Sequence, residues 1–336
     1  MEITSVATDE VVAFDGRNLH RRDGLDAGRA YELFGREVRT LRDPGGELLC
    51  RVGTVNDVHF GETVCGVVGG TDIGPTFESG PGEEPYPELM NQGAVAELAT
   101  FEPERVVVKG DLTSSGTVAE YQRFLEVYSS AFGDRLVHVR GNHDAYHGEV
   151  FADFAVQEVV VPGATLAVLD TARTHQVNGS IDADQLDWLD ELAARTDTMV
   201  LVFGHHHIWS PELDPRHDDY FGIRPDDSEA LFAVFARRPN MVGYFAGHTH
   251  RNRRVYVEAA GNAAFVEVAC VKDFPGAVAE YRIHEGGVSQ VFRRISAPEA
   301  LSWSERTRQM YEGGYGAYAF GKLADRCFTL RSSAGR

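Results

Sequence analysis

Five short clusters of histidine, aspartate and asparagine stand out in the sequence, and each follows an apolar run of strand length. The clusters are Asn56-Asp57-Val58-His59 after CRVGTV, Gly110-Asp111 after RVVVK, Gly141-Asn142-His143-Asp144 after RLVHV and one arginine, Gly204-His205-His206-His207 after MVLVF, and Gly247-His248-Thr249-His250 after VGYFA. In α/β sheets, ligand sites form beyond the carboxyl ends of strands, because the loops there converge on one edge. We therefore predict that the five clusters meet at one place.

The clusters together offer a mixed set of metal ligands. Carboxylates, imidazoles and an amide oxygen without thiolates suit Zn, Mn or Fe, and do not suit a sulfur-rich structural site or an all-oxygen calcium site. The candidate ligands are Asp57, His59, Asp111, Asn142, one or more of His205, His206 and His207, and then His248 and His250. This is more than one ion needs. Because a carboxylate can bridge, the set predicts two metal ions about 3.5–4 Å apart, an arrangement used for in-line displacement at phosphorus.

Each cluster also has a structural interpretation when it is taken alone. D-x-H and GD occur by chance in loops, GNHD can be a turn capped by its own side chains, and the remaining histidines can be exposed loop residues. The occurrence of all five in this order, each at the end of a strand, favours the metal site.

The ordered set D-x-H, GD, GNHD, a histidine after a strand and GHxH resembles the calcineurin-like metallophosphoesterases over about Val52 to His250. The resemblance implies a four-layer α-β-β-α sandwich of the α/β class, with two metals at the strand ends. It assigns Asp57, His59 and His250 to one metal, and Asn142, His248 and a strand-borne histidine to the other, with Asp111 bridging. The strand-borne ligand is expected to be His205, and His206 is its competitor because three histidines are adjacent.

Two details of the motifs indicate a subfamily. Purple acid phosphatases carry a tyrosine ligand a few residues after GD, and GDLTSSG at 110–116 has none. The D-x-H opening and GDLT look like the class III cyclic nucleotide phosphodiesterases and the bacterial glycerophosphodiesterases.

A hydrolytic mechanism follows as a hypothesis. A hydroxide between the two metals would attack phosphorus in line. His143, next to the ligand Asn142, is the expected general acid, and Asp144 is expected to orient it through the other ring nitrogen. The alternative for Asp144 is a local turn cap.

The elements that position these residues can be read from apolar periodicity. Three helices are predicted: one over Thr117–Phe132, one over Asp182–Arg195, and one from an N-cap at Ser228 to about Arg237. The stretch from Gly66 to Pro87 is rich in Gly and Pro and is predicted to be a long surface loop. Trp209 and Tyr220 are candidates for base stacking, with core packing as the alternative.

Residues 1–48 are predicted to form a small β appendage, residues 49–274 the catalytic domain, and residues 275–336 a C-terminal extension. The aromatic tail of that extension could cover the fold, cap the pocket or form a homodimer contact.

The composition restricts the class of substrate that the protein is expected to bind. The 336 residues carry a formal charge of -19, which opposes binding of nucleic-acid polymers. The sequence shows neither a signal peptide nor a membrane span, so we expect a cytoplasmic protein with no membrane partner. The 32 basic residues include only three lysines, Lys109, Lys272 and Lys322.

The prediction is therefore a phosphodiesterase that uses two Mn, Fe or Zn ions to hydrolyse small phosphodiesters of the cyclic nucleotide or glycerophosphodiester type. The alternatives are a broad phosphomonoesterase on the same site and a non-catalytic scaffold of the same fold.

Overall fold

Strands and helices alternate through the middle of the chain, as the apolar pattern predicts. The computed structural model describes residues 1–332 apart from 17, 69–70, 149 and 213. The strands are β1 (Glu2–Val6), β2 (Glu10–Phe14), β3 (Leu19–Asp23), β4 (Ala30–Leu33), β5 (Arg36–Arg39), β6 (Leu48–Val55), β7 (Val64–Val68), β8 (Thr71–Glu78), β9 (Arg105–Lys109), β10 (Leu136–Val139), β11 (Val156–Val161), β12 (Ala164–Leu169), β13 (Met199–Phe203), β14 (Met241–Ala246), β15 (Arg253–Val257), β16 (Ala263–Glu267), β17 (Ala277–His284), β18 (Gly287–Arg294) and β19 (Phe328–Arg331). The α-helices are α1 (Tyr86–Ala99), α2 (Val118–Phe132), α3 (Asn142–Ala145), α4 (Ala183–Arg195), α5 (Pro225–Arg237), α6 (Pro298–Thr307), α7 (Tyr315–Phe320) and α8 (Leu323–Arg326).

Two six-stranded sheets form the centre of the fold. Sheet I has the order β10-β9-β6-β17-β18-β19, and sheet II has the order β11-β12-β13-β14-β16-β15. The aromatic side chains of the two sheets touch: the ring centroid of Tyr281 in β17 lies 5.6 Å from that of Phe203 in β13 and 4.9 Å from that of Phe245 in β14. The sheets therefore pack face to face.

Helices cover the outer faces of both sheets, so the predicted four-layer α-β-β-α sandwich is confirmed. Helices α1 and α2 pack on sheet I. On sheet II, alternate residues of β13 point to opposite sides, as strand geometry requires. Leu201 and Phe203 join the core between the sheets, whereas Val200 and Val202 join a second apolar cluster with residues of α4 and α5.

Capping sets the start of two predicted helices. Thr117 accepts a hydrogen bond from the Glu120 amide at the start of α2, and Asp182 accepts one from the Gln185 amide at the start of α4. In each case the side chain three residues on hydrogen-bonds back to the capping residue, which completes a capping box. The predictions for these two helices are confirmed to within one residue.

The predicted N-cap of the third helix, Ser228, is wrong by four residues, because the N-cap is Arg224. Helix α5 begins at Pro225, because proline is pre-organised for the first helical position and Asp226 and Asp227 suit the helix dipole. Ser228 lies inside the first turn. Its hydroxyl accepts a hydrogen bond from the Trp209 amide and donates one to the Ile223 carbonyl.

The predicted loop from Gly66 to Pro87 is also wrong. Strands β7 and β8 pair as an antiparallel hairpin there, and α1 begins at Tyr86; positions 69–70 of the predicted loop lie outside the described residues. β-branched and aromatic residues such as Val67, Thr76 and Phe77 favour a strand. A two-stranded hairpin has only edge strands, which tolerate Gly and Pro.

The two ends of the chain differ in how they join the sandwich. Before β6, the chain forms the three-stranded β1-β2-β3 sheet and the β4-β5 hairpin. Beyond residue 275, β17 pairs with β6 and β18, so strands from both sides of the predicted boundary at 274/275 share sheet I. None of the helices in the described part of the chain has the length and apolar character that a membrane crossing requires.

Candidate metal centre

The five polar clusters follow strands that lie side by side. Strands β6, β9 and β10 are parallel neighbours in sheet I, and β13 and β14 are parallel neighbours in sheet II. All five therefore end at the same edge of the sandwich. The structure brings the seven predicted ligand side chains together there.

Asp57, His59 and His250 form one group of ligand atoms, all within 4.8 Å of one another. The Nε2 atom of His250 lies 3.4 Å from Asp57 Oδ1, so this nitrogen faces the carboxylate. The Nε2 atom of His59 lies 3.3 Å from Asp111 Oδ2. We call Asp57, His59 and His250 the first half of the site.

Asn142, His205 and His248 form a second group beside the first. The Nε2 atom of His205 lies 3.1 Å from the amide oxygen of Asn142 and 3.4 Å from Asp111 Oδ2. The ring of His248 lies 5.1 Å from that of His205, centroid to centroid. We call Asn142, His205 and His248 the second half.

Asp111 stands between the two halves. Its Oδ1 atom accepts a hydrogen bond of 2.9 Å from the His143 amide, which fixes the carboxylate. Its Oδ2 atom faces His59 on one side and His205 on the other, at 3.3 and 3.4 Å. A single carboxylate oxygen is thus shared by both groups of ligands.

The hydrogen bonds of the adjacent histidines favour His205 over His206 as a ligand. His206 uses both ring nitrogens: Nδ1 accepts from the Thr171 hydroxyl at 2.8 Å, and Nε2 lies 3.1 Å from the Val177 carbonyl. His205 donates from Nδ1 to the Lys109 carbonyl at 2.8 Å, and its Nε2 faces Asn142 and Asp111. Only His205 therefore presents a ring nitrogen to the shared carboxylate.

The backbone is strained at five of the seven predicted ligands. Asp57, His59, Asp111, His248 and His250 have φ values of 53, 47, 51, 68 and 54°. A left-handed conformation at such a residue costs about 1–3 kcal/mol and persists only where the surroundings enforce it. The loops also approach each other closely here, since a Cβ atom on Gly141 would overlap the Asp111 carboxylate. Concentrated strain of this kind is typical of a functional site.

The electrostatics of the site favour positive charge. Burial alone would lower the pKa of His59, but the carboxylates of Glu62 and Asp111 raise it to about 10. Burial is likewise outweighed at His205, where Asp111 and Asp57 raise the pKa to about 9. The pKa of Asp111 is held well below its usual range, because His205 and His143 outweigh its burial.

The residues fit metal ions. The Nε2 atoms of His59 and His205 converge on one carboxylate oxygen, Asp111 Oδ2, at 3.3 and 3.4 Å, as the ligands of a metal centre do. Nitrogen and oxygen donors without thiolates suit Mn, Fe or Zn. Three sets of residues each place one ligand atom per residue within 4.8 Å of the others in the set. They are the first half, the set Asp57, Asp111 and His205, and the set His205, His206 and His248.

The two halves differ in what lies behind the histidine rings. In the first half, His59 Nδ1 lies 3.0 Å from Glu62 Oε2, and His250 Nδ1 lies 4.0 Å from Asp273 Oδ2. In the second half, His205 Nδ1 and His248 Nε2 face the carbonyls of Lys109 and Phe221, at 2.8 and 2.9 Å. Carboxylates thus back one half, and neutral carbonyls back the other.

Tyr146 orients one ligand of the second half. Its hydroxyl accepts a hydrogen bond of 2.6 Å from the amide nitrogen of Asn142. This bond fixes the Asn142 amide so that its oxygen faces His205.

The predicted partner of His143 is wrong. His143 Nδ1 lies 2.7 Å from the Ser114 carbonyl, which orients the ring. Asp144 instead accepts hydrogen bonds from the amides of Leu112, Thr113 and Gly141 and from the Thr113 hydroxyl. Asp144 therefore ties together the loops after β9 and β10, which matches the alternative of a local cap.

The base-stacking candidates Trp209 and Tyr220 both contact other residues of the protein, Trp209 fully buried and Tyr220 half-buried. Trp209 is buried and donates from Nε1 to the carbonyls of Asp214 and Pro215. The Tyr220 hydroxyl pairs with His207 Nε2 at 3.0 Å. Phe221, in contrast, is 50% exposed and stacks on His248 with ring centroids 4.1 Å apart.

Sequence reasoning missed Glu62, Tyr146, Phe221 and the pair Lys272 and Asp273. Glu62 follows His59 by three residues, so its spacing was a usable signal, and the scarcity of lysine was a signal for Lys272. Tyr146 and Phe221 had no comparable signal.

Comparison with known proteins gives a consistent result. The family model described as "Calcineurin-like phosphoesterase" matches residues 50–252. The chain is 30% identical over 175 residues to a cAMP/cGMP dual specificity phosphodiesterase of Mycobacterium tuberculosis, covering 48% of this chain and 52% of that protein. It is 27% identical over 164 residues to the glycerophosphodiester phosphodiesterase GpdQ of Enterobacter lignolyticus, covering 44% of this chain and 56% of that protein. The chain thus spans little more than half the length of these two relatives.

A solved structure supports the fold. The crystal structure of a dimetal phosphatase from Danio rerio superimposes with a TM-score of 0.55 and 17% identity, covering 74% of this chain and 97% of that chain. At this identity the likeness concerns the fold alone.

Proposed function

The chain belongs to the calcineurin-like phosphoesterase family, and we propose that it hydrolyses small phosphodiesters of the cyclic nucleotide or glycerophosphodiester type. Two divalent cations, Mn, Fe or Zn, would be held at the strand ends. The first half and Asp111 would hold one, and the second half and Asp111 the other.

The shared carboxylate carries this proposal. Asp111 Oδ2 lies at nearly equal distances from His59 Nε2 and His205 Nε2, 3.3 and 3.4 Å. A carboxylate so placed can bind two cations at once, whereas a mononuclear site would not need it. Bound cations would supply Lewis-acid activation of the ester and of the attacking water.

His143 is the proton donor in this proposal. Its Nδ1 hydrogen bond to the Ser114 carbonyl leaves Nε2 as the nitrogen that can reach substrate. The ring lies 4.4 Å from that of His59, centroid to centroid, so it borders the first half. When both ring nitrogens are protonated, the ring would donate the Nε2 proton to the leaving oxygen and be left neutral, which would ease departure of a poor leaving group.

The position of Phe221 favours a substrate in which the phosphate ester carries an organic group. Its exposed ring lies against His248 at the edge of the second half. An aromatic face beside the cations could stack on a base or cover an apolar ester group. The relatives named above are phosphodiesterases, which supports a diester substrate.

The direct test compares a diester with a monoester. Protein stripped of metal and reloaded with Mn²⁺ is assayed on bis(p-nitrophenyl) phosphate and on p-nitrophenyl phosphate. We expect a higher kcat/KM for the diester, and loss of both activities in the metal-free protein. Equal or faster turnover of the monoester would contradict the diesterase proposal, and activity without metal would contradict the cation chemistry.

The charge of the chain supports small substrates over polymers. The formal charge of -19 repels a polyanion at long range, whereas cations at the strand ends offset the acids locally. We expect single-stranded DNA to be cleaved more slowly per phosphodiester bond than bis(p-nitrophenyl) phosphate. Faster cleavage of the polymer would overturn this part of the proposal.

A further inference from the structure

A cleft lies between the N-terminal β segments and the C-terminal part of the chain. Its volume is about 780 Å³, within the range of about 300–1,000 Å³ that is usual for ligand sites. One wall is formed by residues 36–42, and the other walls come from β1 and from residues 320–329. None of the seven predicted metal ligands is among the described residues that line it. We call this feature the edge cleft.

The edge cleft runs along the free edge of β5. In the described part of the chain, β5 pairs with β4 and with no other strand. All seven residues from 36 to 42 line the cleft, whereas the four residues of β4, which the structure describes, do not. Alternate side chains of a strand point to opposite faces, so a cleft on one face of this hairpin would be lined by alternate residues of both strands. The cleft therefore lies beside the edge of β5 that faces away from β4.

Side chains cover the edge of β1 at the cleft but not the edge of β5. Arg326 donates hydrogen bonds from Nε to the Thr4 carbonyl at 3.2 Å and from Nη2 to the Ile3 carbonyl at 3.1 Å. The Val6 amide donates to Cys327 Sγ at 3.4 Å. Among the described residues, the main chain of β5 hydrogen-bonds to β4 alone. An uncovered strand edge presents N–H and C=O groups on which another strand can pair.

The edge cleft is locally positive in a chain whose formal charge is -19. Three exposed arginines line it without an ion pair to any other described residue: Arg36, Arg39 and Arg42. Two acids, Glu2 and Glu37, also line the cleft, and Glu2 already pairs with Arg308 at 3.0 Å. The cleft therefore favours a ligand that carries carboxylates.

Apolar side chains lie beside these charges. Val38 and Phe320 are buried in the cleft walls, and Leu41 and Leu323 are half-buried. A ligand that fits must therefore present apolar groups as well as carboxylates. A peptide strand can do this, because its successive side chains point to opposite faces.

A second copy of this chain does not suit the cleft. Pairing of β5 with β5 of another copy would place arginines of both strands side by side, and like charges on adjacent strands are destabilising. Two chains of charge -19 also repel each other at long range. The occupant that the charges favour is therefore a different, acidic chain.

We propose that the edge cleft binds an extended acidic peptide segment of a partner protein, which adds to β5 as a strand. Its carboxylates would pair with Arg36 and Arg42, and its apolar side chains would pack on Val38 and Leu323. In strand addition, main-chain hydrogen bonds supply affinity and side-chain contacts supply specificity. About seven residues would cover the run 36–42, at about 3.3 Å per residue. The proposal does not involve the metal centre, so it can fail or hold independently of the proposed function.

The first test measures binding of a model peptide. The full chain is titrated into a fluorescein-labelled peptide of about seven alternating Glu and Val residues, and binding is followed by fluorescence anisotropy. We expect saturable binding that is at least about tenfold tighter than that of the matched peptide of alternating Lys and Val. No binding of the Glu–Val peptide, or equal binding of the two peptides, would overturn the proposal.

Removal of metal distinguishes the edge cleft from the metal centre. A peptide carboxylate could also bind a cation there, whereas none of the predicted metal ligands lines the cleft. We expect the Glu–Val peptide to bind metal-free protein with an affinity within about twofold of the metal-loaded protein. Binding that disappears with the metal would place the peptide at the metal centre and would overturn the proposal.

Methylation of the peptide main chain tests strand addition itself. In a strand, the N–H groups of the Glu residues point to one side and those of the Val residues to the other. One peptide is N-methylated at every Val and a second at every Glu. We expect one of the two to bind at least about tenfold more weakly than the other, because only one side faces β5. Two methylated peptides that bind as tightly as the unmodified one would exclude strand addition.

Protein variants locate the peptide. Arg36→Gln and Arg42→Gln should each weaken binding of the Glu–Val peptide about fivefold, since each removes a charged hydrogen-bond donor. Arg22→Gln is the matched control, because Arg22 is an exposed arginine of β3 that does not line the cleft. We expect its affinity to stay within about twofold of wild type. Equal effects at all three positions would overturn the location.

A small amphiphile is the remaining occupant to exclude. Dodecanoate also combines a carboxylate with an apolar body, but it has no main chain to pair with β5. We expect it to displace the Glu–Val peptide only at concentrations at least about tenfold above the Kd of the peptide. Tighter binding of dodecanoate than of the peptide would make the cleft an amphiphile site and would contradict the proposal. Circular dichroism checks that each variant is folded.

Discussion

The two halves of the metal centre use similar ligands but different supports. Behind the first half, Glu62 and Asp273 lie near the Nδ1 atoms of His59 and His250, at 3.0 and 4.0 Å. Behind the second half, His205 and His248 pair with backbone carbonyls. A carbonyl fixes the tautomer and direction of an imidazole without adding charge, whereas a carboxylate also makes the ring a stronger ligand.

The two halves would therefore offer a cation different surroundings. The ligands alone, with Asp111 between them, are nearly symmetric. The asymmetry comes from the residues behind them, which lie in the loop after β6 and in the segment before β17.

Removal of the shared carboxylate should erase the difference between the halves. Asp111→Asn keeps the shape of the side chain but cannot bridge two cations as a carboxylate does. We expect loss of high-affinity binding in both halves and a fall in diester turnover of about 10⁴-fold, because several kcal/mol of charge stabilisation would be lost. Elemental analysis after Mn²⁺ loading and desalting measures the ions. Retention of two tightly bound ions would contradict the shared role.

The second half can be tested alone by substituting His205, which belongs to it, and the adjacent His206, which does not. His205→Ala should leave one Mn²⁺ per chain and lower turnover about 10³-fold, since one cation and its charge stabilisation are lost. His206→Ala should retain two ions, because both of its ring nitrogens are engaged by Thr171 and Val177. Elemental analysis of the pair checks this, and the reverse pattern would make His206 the ligand.

Loss of the proton donor should lower activity without disturbing either half. We expect His143→Ala to reduce turnover about 10²-fold on a diester with a poor leaving group, such as an alkyl ester, and to bind two Mn²⁺ ions. The loss should be smaller on bis(p-nitrophenyl) phosphate, whose leaving group needs little protonation. Full activity of the variant on the alkyl ester would refute the role of His143.

The smallest expected effect is that of removing the hydrogen bond between Asn142 and the Tyr146 hydroxyl. Tyr146→Phe removes the hydroxyl that accepts the Asn142 amide hydrogen bond of 2.6 Å. A bond of this kind is worth about 1 kcal/mol, so the Mn²⁺ of the second half should bind about fivefold more weakly and that of the first half should not change. Mn²⁺ titration measures both, and a larger loss in the first half would reverse the comparison between the halves.

The positions of the predicted ligands follow from local sequence because the strands are strongly apolar and the polar residues come directly after them. The runs before Asp57, Asp111, Asn142, His205 and His248 are all strands in the structure. Parallel pairing of β6, β9 and β10 then brings three of the clusters together without further information.

The residues that contact the ligands from behind could not be predicted from local sequence in the same way. Glu62 and Lys272 are 210 positions apart, and they meet only because β17 pairs with β6. The role of Asp144 was misjudged because His143 and Asp144 each contact the loop after β9 separately, at the Ser114 carbonyl and the Thr113 amide, and the spacing within GNHD does not reveal these contacts. The hairpin at β7 and β8 was missed because Gly and Pro also occur in edge strands.

The most direct test of the account is the EPR spectrum of the protein loaded stepwise with Mn²⁺. We predict that one equivalent gives the six-line signal of isolated Mn²⁺, and that a second converts it to the broadened signal of two exchange-coupled ions that share Asp111. Saturation at one ion per chain, or two ions with no coupling, would contradict a shared carboxylate between two metal sites.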